Sequence, residues 1–129
     1  MLIETLKSLF NRDLNKLKVE IESYQNENQI WEIDKNISNS AGNLCLHLIG
    51  NINTYIGAEI GKTAYVRNRP LEFSLKNIPK SELITKIEDT IIVVNNAFDV
   101  VAPILVEGSY LTTLNFCSIF LIFCFKLKH

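Results

Sequence analysis

His47 carries the side chain best suited to chemistry in this sequence. A neutral imidazole binds zinc or nickel, and a helical bundle can present such ligands from several helices. A second histidine one helical turn further along would strengthen the prediction, but Gly50 and Asn51 occupy those positions. The only other histidine, His129, is terminal and matches no motif. His47 is therefore a candidate metal ligand whose partner ligands the sequence does not supply.

Four further side chains are candidate functional groups. At 100° per residue, Glu59 falls inside the apolar arc of the predicted second helix. It is either a ligand or supporting carboxylate, the partner of a buried arginine, or a side chain that reaches solvent at the helix end. Arg67 and Arg69 would be that partner; they could instead bind an anionic substrate or fasten their loop to acidic residues of the helices. Cys45 is turned toward the core, so we expect a buried thiol and not a nucleophile.

Composition narrows the class of protein. The 129 residues suit one domain, 1–129, and the net charge of -1 offers no electrostatic reason for a nucleic-acid partner. The cysteine count of 3, with no CxxC pair, supports neither a disulfide framework nor a zinc ribbon.

Charges from residue 4 onward argue against a signal peptide, so we expect a cytoplasmic protein. The sequence contains no GxSxG, P-loop, GxGxxG or HExxH motif.

Apolar residues at helical spacing predict an all-α fold. The first helix runs through about residue 25 and is followed by a connection anchored by Trp31. A second helix spans 40–61, with Ser38 or Ser40 as its N-cap. Its glycines at 50, 57 and 61 share one side, either because another segment approaches closely there or because they are simply tolerated.

A long ordered connection, 62–78, leads to the clearest helix of the sequence. Pro79 suits its first turn, and apolar residues follow at alternating steps of three and four. Because Pro103 cannot continue a helix and disfavours helical backbone before it, we expect the helix to end at Ala102. The face predicted to be buried comprises Ile84, Ile87, Ile91, Val94, Phe98 and Val101.

The C-terminal segment Tyr110–Phe125 is atypical because it carries no charge at all. Its 16 residues fall short of the roughly 20 that cross a bilayer as a helix, so a buried fourth helix or an ill-formed tail is favoured over a membrane anchor, which stays open as an alternative.

Two segments carry a resemblance to a known family. Residues 37–53, ISNSAGNLCLHLIGNIN, and residues 56–73, IGAEIGKTAYVRNRPLEF, resemble an uncharacterised branch of the DinB-like superfamily, and the likeness extends over about 1–101. The resemblance implies an up-down four-helix bundle that is often a homodimer. It also implies a divalent metal, nickel or zinc, held by one histidine on the second helix and an HxxxH pair on the fourth.

Only one of those three ligands has a counterpart in this chain. His47 occupies the place of the histidine on the second helix, whereas FCSIFLIFCFKLKH stands where the HxxxH pair would be. Because an amphipathic helix would rarely lose every charge at once, this departure from the family indicates a truncated or frame-shifted final helix. We therefore expect a DinB-like protein with an incomplete, degenerate metal site that is not catalytically competent. The alternative is a divalent-metal-dependent thiol S-transferase of the bacillithiol type, in which His47 is one ligand and Glu59, His129 or a dimer partner supplies the others.

Overall fold

The computed structural model describes residues 2–105 and confirms the all-α class, since no strand occurs in that range. Its helices are α1 (Leu2–Ser23), α2 (Ala41–Ile52), α3 (Arg69–Ser74) and α4 (Lys80–Leu105). A 3₁₀ turn (Glu27–Trp31) follows α1, and α2 continues into a π-helical turn (Asn53–Ala58). The predicted fourth helix at Tyr110–Phe125 lies outside the described residues.

Helix α1 packs mainly against α4. Its apolar face is buried, and the rings of Phe10 and Phe98 lie 5.7 Å apart between their centroids. Polar contacts flank this face, including a 2.7 Å hydrogen bond from Asn11 Nδ2 to Asn95 Oδ1. The helix ends at Ser23, two residues before the predicted end near residue 25. The buried residues on that face are Ile3, Phe10, Leu14, Leu17 and Ile21.

Helix α2 begins at the serine that caps its first turn. The Ser40 hydroxyl accepts a hydrogen bond of 3.1 Å from the backbone N–H of Asn43, which confirms the later of the two predicted caps. On the predicted apolar arc, the buried residues are Cys45, Leu48, Ile49, Ile52 and Ile56, whereas Tyr55 is exposed; Leu46, beside the arc, is also buried. Trp31, the predicted anchor of the preceding connection, is buried against Gly42, where an added Cβ would press on the indole ring.

Removing the cap should destabilise the protein measurably. We expect Ser40→Ala to lower the free energy of unfolding by about 1–2 kcal/mol, because the first turn of α2 loses its side-chain acceptor at a buried position. Chemical denaturation monitored by circular dichroism measures the change. Ser38→Ala is the control, since Ser38 is exposed and does not cap the helix. Equal effects of the two substitutions would contradict the assignment of Ser40.

The π-helical turn was not predicted, and it changes the register of the residues after it. The backbone N–H of Glu59 donates to the carbonyl of Thr54 at 3.1 Å, a step of five residues in place of four. One additional residue in a turn rotates the later side chains by roughly 100° relative to a regular α-helix. Ile56 stays buried, whereas Glu59, predicted to lie inside the apolar arc, is exposed.

Helix α4 confirms the predicted face and corrects the predicted end. Ile87, Val94 and Phe98 are buried at the expected spacing. The helix runs to Leu105, however, so the prediction that it ends at Ala102 is wrong. A proline removes one backbone hydrogen bond and crowds the preceding turn, which is a local cost that a helix packed along its length can absorb.

Among residues 2–105, no helix is both long and apolar enough to cross a bilayer. The alternative of a membrane anchor concerns Tyr110–Phe125, which lies outside that range.

Candidate functional site

His47 lies on the middle of α2 and faces the connection that leads to α4. Its side chain is 12% exposed, so the imidazole is largely removed from solvent but remains reachable. The ring of Phe73, which belongs to α3, lies 5.0 Å from the imidazole between centroids. The two ring nitrogens have different neighbours, a carboxylate at Nδ1 and a side-chain amide at Nε2.

The Nδ1 atom of His47 meets a carboxylate that the sequence did not single out. Glu72 Oε1 lies 3.0 Å from Nδ1, and the Glu72 side chain is 7% exposed. Arg67 binds the same carboxylate with both arms of its guanidinium, through Nε to Oε2 at 2.7 Å and Nη2 to Oε1 at 2.7 Å. The three side chains form one buried network, called here the His47–Glu72–Arg67 cluster.

The charge of Glu72 decides which hydrogen-bonding role His47 Nδ1 takes. Burial opposes ionisation of Glu72, but hydrogen bonds from Arg67 and His47, together with their charges, outweigh burial and leave its pKa below the usual value. An ionised carboxylate only accepts hydrogen bonds, so Nδ1 carries the proton and donates it to Oε1. The Arg67 Nη2 atom lies 3.2 Å from Nδ1 because both donors converge on that oxygen.

The Nε2 atom of His47 is consequently the nitrogen that carries the lone pair when the ring is neutral. That lone pair accepts a long hydrogen bond, 3.4 Å, from Asn51 Nδ2. A carboxylate on one ring nitrogen and a lone pair on the other is the arrangement typical of metal-binding histidines, although the Asn51 amide would have to move before Nε2 could bind an ion. Among residues 2–105, however, no group of three His, Cys, Asp or Glu side chains could hold a metal ion. The described residues supply one ligand and do not fit a complete zinc or nickel site.

Gly50 makes room for the cluster. It lies three residues after His47 on α2, and a Cβ at this position would overlap the Glu72 carboxylate and approach Arg67 Nε to 3.3 Å. The glycines of the predicted second helix were expected either to allow close approach of another segment or to be simply tolerated. At Gly50 the first interpretation is correct, and the approaching group is the Glu72 side chain of the connection. Gly57 and Gly61 face α4 in a similar way, against Val93 and Ala97.

Asn43 fixes the segment that carries Glu72. The buried Asn43 amide donates hydrogen bonds of 2.9 Å to the backbone carbonyls of both Glu72 and Leu75, so it holds the end of α3 against α2. Its side-chain oxygen accepts from Ser40 and from the Lys76 ammonium. The connection is thus fastened to α2 at two positions. Asn43 binds two of its backbone carbonyls, and His47 binds the carboxylate of Glu72.

No family model, curated protein or solved structure matches this chain. The chemistry of the cluster is therefore interpreted from its own geometry and from the sequence.

The structure places the other candidate residues away from His47 Nε2. Arg67 pairs with Glu72, so the predicted pairing of Glu59 with Arg67 or Arg69 is wrong, and Glu59 has no ion pair among the described residues. Arg69 lies over the Phe73 ring at 5.5 Å. Cys45 is fully buried, and burial raises the pKa of its thiol to about 12, as expected of an inert core residue. His129 lies outside the described residues.

Glu72 is the functional residue that the sequence analysis missed. It belongs to the segment RNRPLEF, in which two arginines lie close to one acidic residue and Pro70 is placed to begin a helix. Those features signal a short helix and a local ion pair. They do not reveal that the ion pair reaches a histidine 25 residues earlier in the chain.

Proposed function

We propose that this chain is a DinB-like helical bundle that retains one histidine of a three-histidine metal site and does not act as a metal-dependent enzyme. The observation that carries the proposal is the state of His47. Its Nδ1 is held by Glu72 in the tautomer that a ligand histidine needs, yet no second ligand faces its Nε2 among residues 2–105. Glu72 and Arg67 thus orient a histidine as a metal ligand would be oriented, whereas the described residues provide no other ligands for the site.

The family assignment itself rests on the resemblance of residues 37–53 and 56–73. The structure adds the position of His47 on the second helix, which is where the resemblance expects a ligand histidine. The homodimer belongs to the same proposal and has the same basis, whereas the proposed cytoplasmic location rests on the charges near the N-terminus. The up-down arrangement of four long helices is also part of the proposal, because its last helix falls outside the described residues.

One observation favours a second candidate function. The Glu72–His47 hydrogen bond is the outer-shell contact expected around a working metal ligand, so a thiol S-transferase that completes its site with a partner subunit is the alternative. Glu59 is a weaker source of a ligand than the sequence suggested, because it is exposed beyond the π-helical turn.

Metal content separates these two functions. We expect the purified full-length chain, after exposure to zinc or nickel and removal of unbound ions, to hold well below one ion per chain by elemental mass spectrometry. His47→Ala should give the same content, because one histidine cannot retain the metal. His129→Ala is the matched control for the other histidine. Stoichiometric metal that is lost in His47→Ala would contradict the proposal and support the transferase.

A further inference from the structure

The chain's own side chains occupy both ring nitrogens of His47. Nδ1 donates to Glu72 Oε1 at 3.0 Å, and Nε2 accepts from Asn51 Nδ2 at 3.4 Å. Because Nε2 carries a lone pair when Nδ1 carries the proton, the Asn51 amide has to face it with its nitrogen and not with its oxygen. A neutral imidazole has one donor and one acceptor, and both are therefore used within this chain.

Asn51 lies where an ion that binds His47 would have to enter. It follows His47 by four residues on α2, so the two side chains are neighbours on one face of the helix. A second histidine at this position would supply another metal ligand. Zinc binds a histidine nitrogen at about 2.0–2.1 Å, so an amide that is hydrogen-bonded to Nε2 has to leave before an ion can approach. The amide nitrogen is a donor and does not bind the ion itself.

The ion pair of the cluster does not by itself attach the connection to α2. Arg67 and Glu72 both belong to the connection, and their two hydrogen bonds of 2.7 Å lie within it. Among the described residues, His47 is the side chain of α2 that hydrogen-bonds this pair. The ring of Phe73 lies 5.0 Å from the imidazole, beside the same contact. The polar link between α2 and the Arg67–Glu72 pair therefore depends on one side chain.

We propose that His47 acts in this chain as a structural pin, which holds the Arg67–Glu72 pair of the connection against α2, and that Asn51 takes the place of a metal ion at Nε2. His47 Nδ1 supplies the donor that an ionised carboxylate requires. The Asn51 amide satisfies the other ring nitrogen, which would otherwise be unpaired in a side chain that is only 12% exposed. The inference rests on the function proposed above and deepens it, because it gives the retained histidine a role that needs no metal.

Hydrogen exchange with a chelator present tests the pin. His47→Leu keeps an apolar side chain of similar size but loses the donor, and we expect the amides of residues 69–75 to exchange about 10- to 100-fold faster, as for one hydrogen bond to a charged group. His47→Asn places an amide nitrogen near the position of Nδ1, so it should retain most of the native protection. Exchange in α1, which packs mainly against α4, is the internal reference.

Zinc affinity tests the place of Asn51. In Asn51→His the amide is gone and a second imidazole stands one turn after His47, so both rings can bind one ion. We expect this variant to bind zinc about 100-fold more tightly than the native chain by calorimetric titration, because the second ligand is already held beside the first. His47→Leu combined with Asn51→His is the matched control and should lose that gain.

Three results would overturn the proposal. The first is exchange at residues 69–75 that His47→Leu leaves unchanged. The second is exchange in His47→Asn as fast as in His47→Leu. The third is an Asn51→His variant that binds zinc no more tightly than the native chain. These results are separate from the metal content of the native chain, which tests the function proposed above, because the chelator removes metal from the exchange experiment and the titration compares two variants.

Discussion

Glu72→Ala is expected to lower the free energy of unfolding by about 2–4 kcal/mol, one of the largest effects of any single substitution at the site. The substitution leaves the Arg67 guanidinium, which is 16% exposed, without its partner and removes the acceptor of His47 Nδ1. A buried charge that loses its only counter-charge costs more than the original pair contributed. The connection should also loosen, because Glu72 is one of its attachments to α2.

Denaturation midpoints measure the global loss, and amide hydrogen exchange measures the local one. We expect faster exchange over residues 62–78 and unchanged exchange in α1, which packs mainly against α4. Glu59→Ala is the matched control, because Glu59 is an exposed glutamate without a partner in the described part of the chain. A Glu72→Ala variant as stable as Glu59→Ala would show that the cluster contributes nothing to the fold.

The same carboxylate predicts a dependence on pH. Because the folded-state pKa of Glu72 is lowered, its contribution to stability is fully present above the unfolded-state pKa of about 4.3 and is lost as the pH falls through the lower folded-state pKa. The difference in stability between the native chain and Glu72→Gln should therefore be largest near neutral pH and shrink below pH ~4. A difference that stays constant down to pH ~2 would contradict this assignment.

Gly50→Ala should destabilise the protein, although alanine is the better helix former by about 1 kcal/mol. The added Cβ overlaps the Glu72 carboxylate, which has to leave Arg67 and His47. We expect a net loss of about 1–3 kcal/mol, since rupture of the buried pair outweighs the gain in helix propensity.

A double-mutant cycle tests that mechanism. In the Glu72→Ala background the overlap no longer exists, so Gly50→Ala should be neutral or stabilising by up to about 1 kcal/mol. Gly57→Ala is the matched control: its Cβ would press on Val93, so Glu72→Ala should not relieve its cost. Additive effects of Gly50→Ala and Glu72→Ala would rule out the carboxylate as the group that requires glycine at this position.

The amino-acid sequence by itself determined the features that depend on local spacing. The apolar residues of α1 and α4 recur with the period of a helix, so their existence and their buried faces followed directly from it. The cap was limited to Ser38 or Ser40, because both hydroxyls precede the apolar helical run, and the structure selects Ser40. His47 could be proposed as a ligand from the sequence, because the direction in which a helical side chain projects depends only on its position along the helix.

Only the tertiary structure decided which charged groups meet His47. The connection between α2 and α4 has no period, so its sequence does not determine where it returns to α2. Glu59 and Glu72 were both available to Arg67; the π-helical turn rotates Glu59 into solvent, whereas Gly50 leaves space for Glu72. The contact between His47 and Glu72, 25 residues apart, depends on where two segments lie in space. The one-residue change of register at the π-helical turn removes Glu59 as the alternative partner.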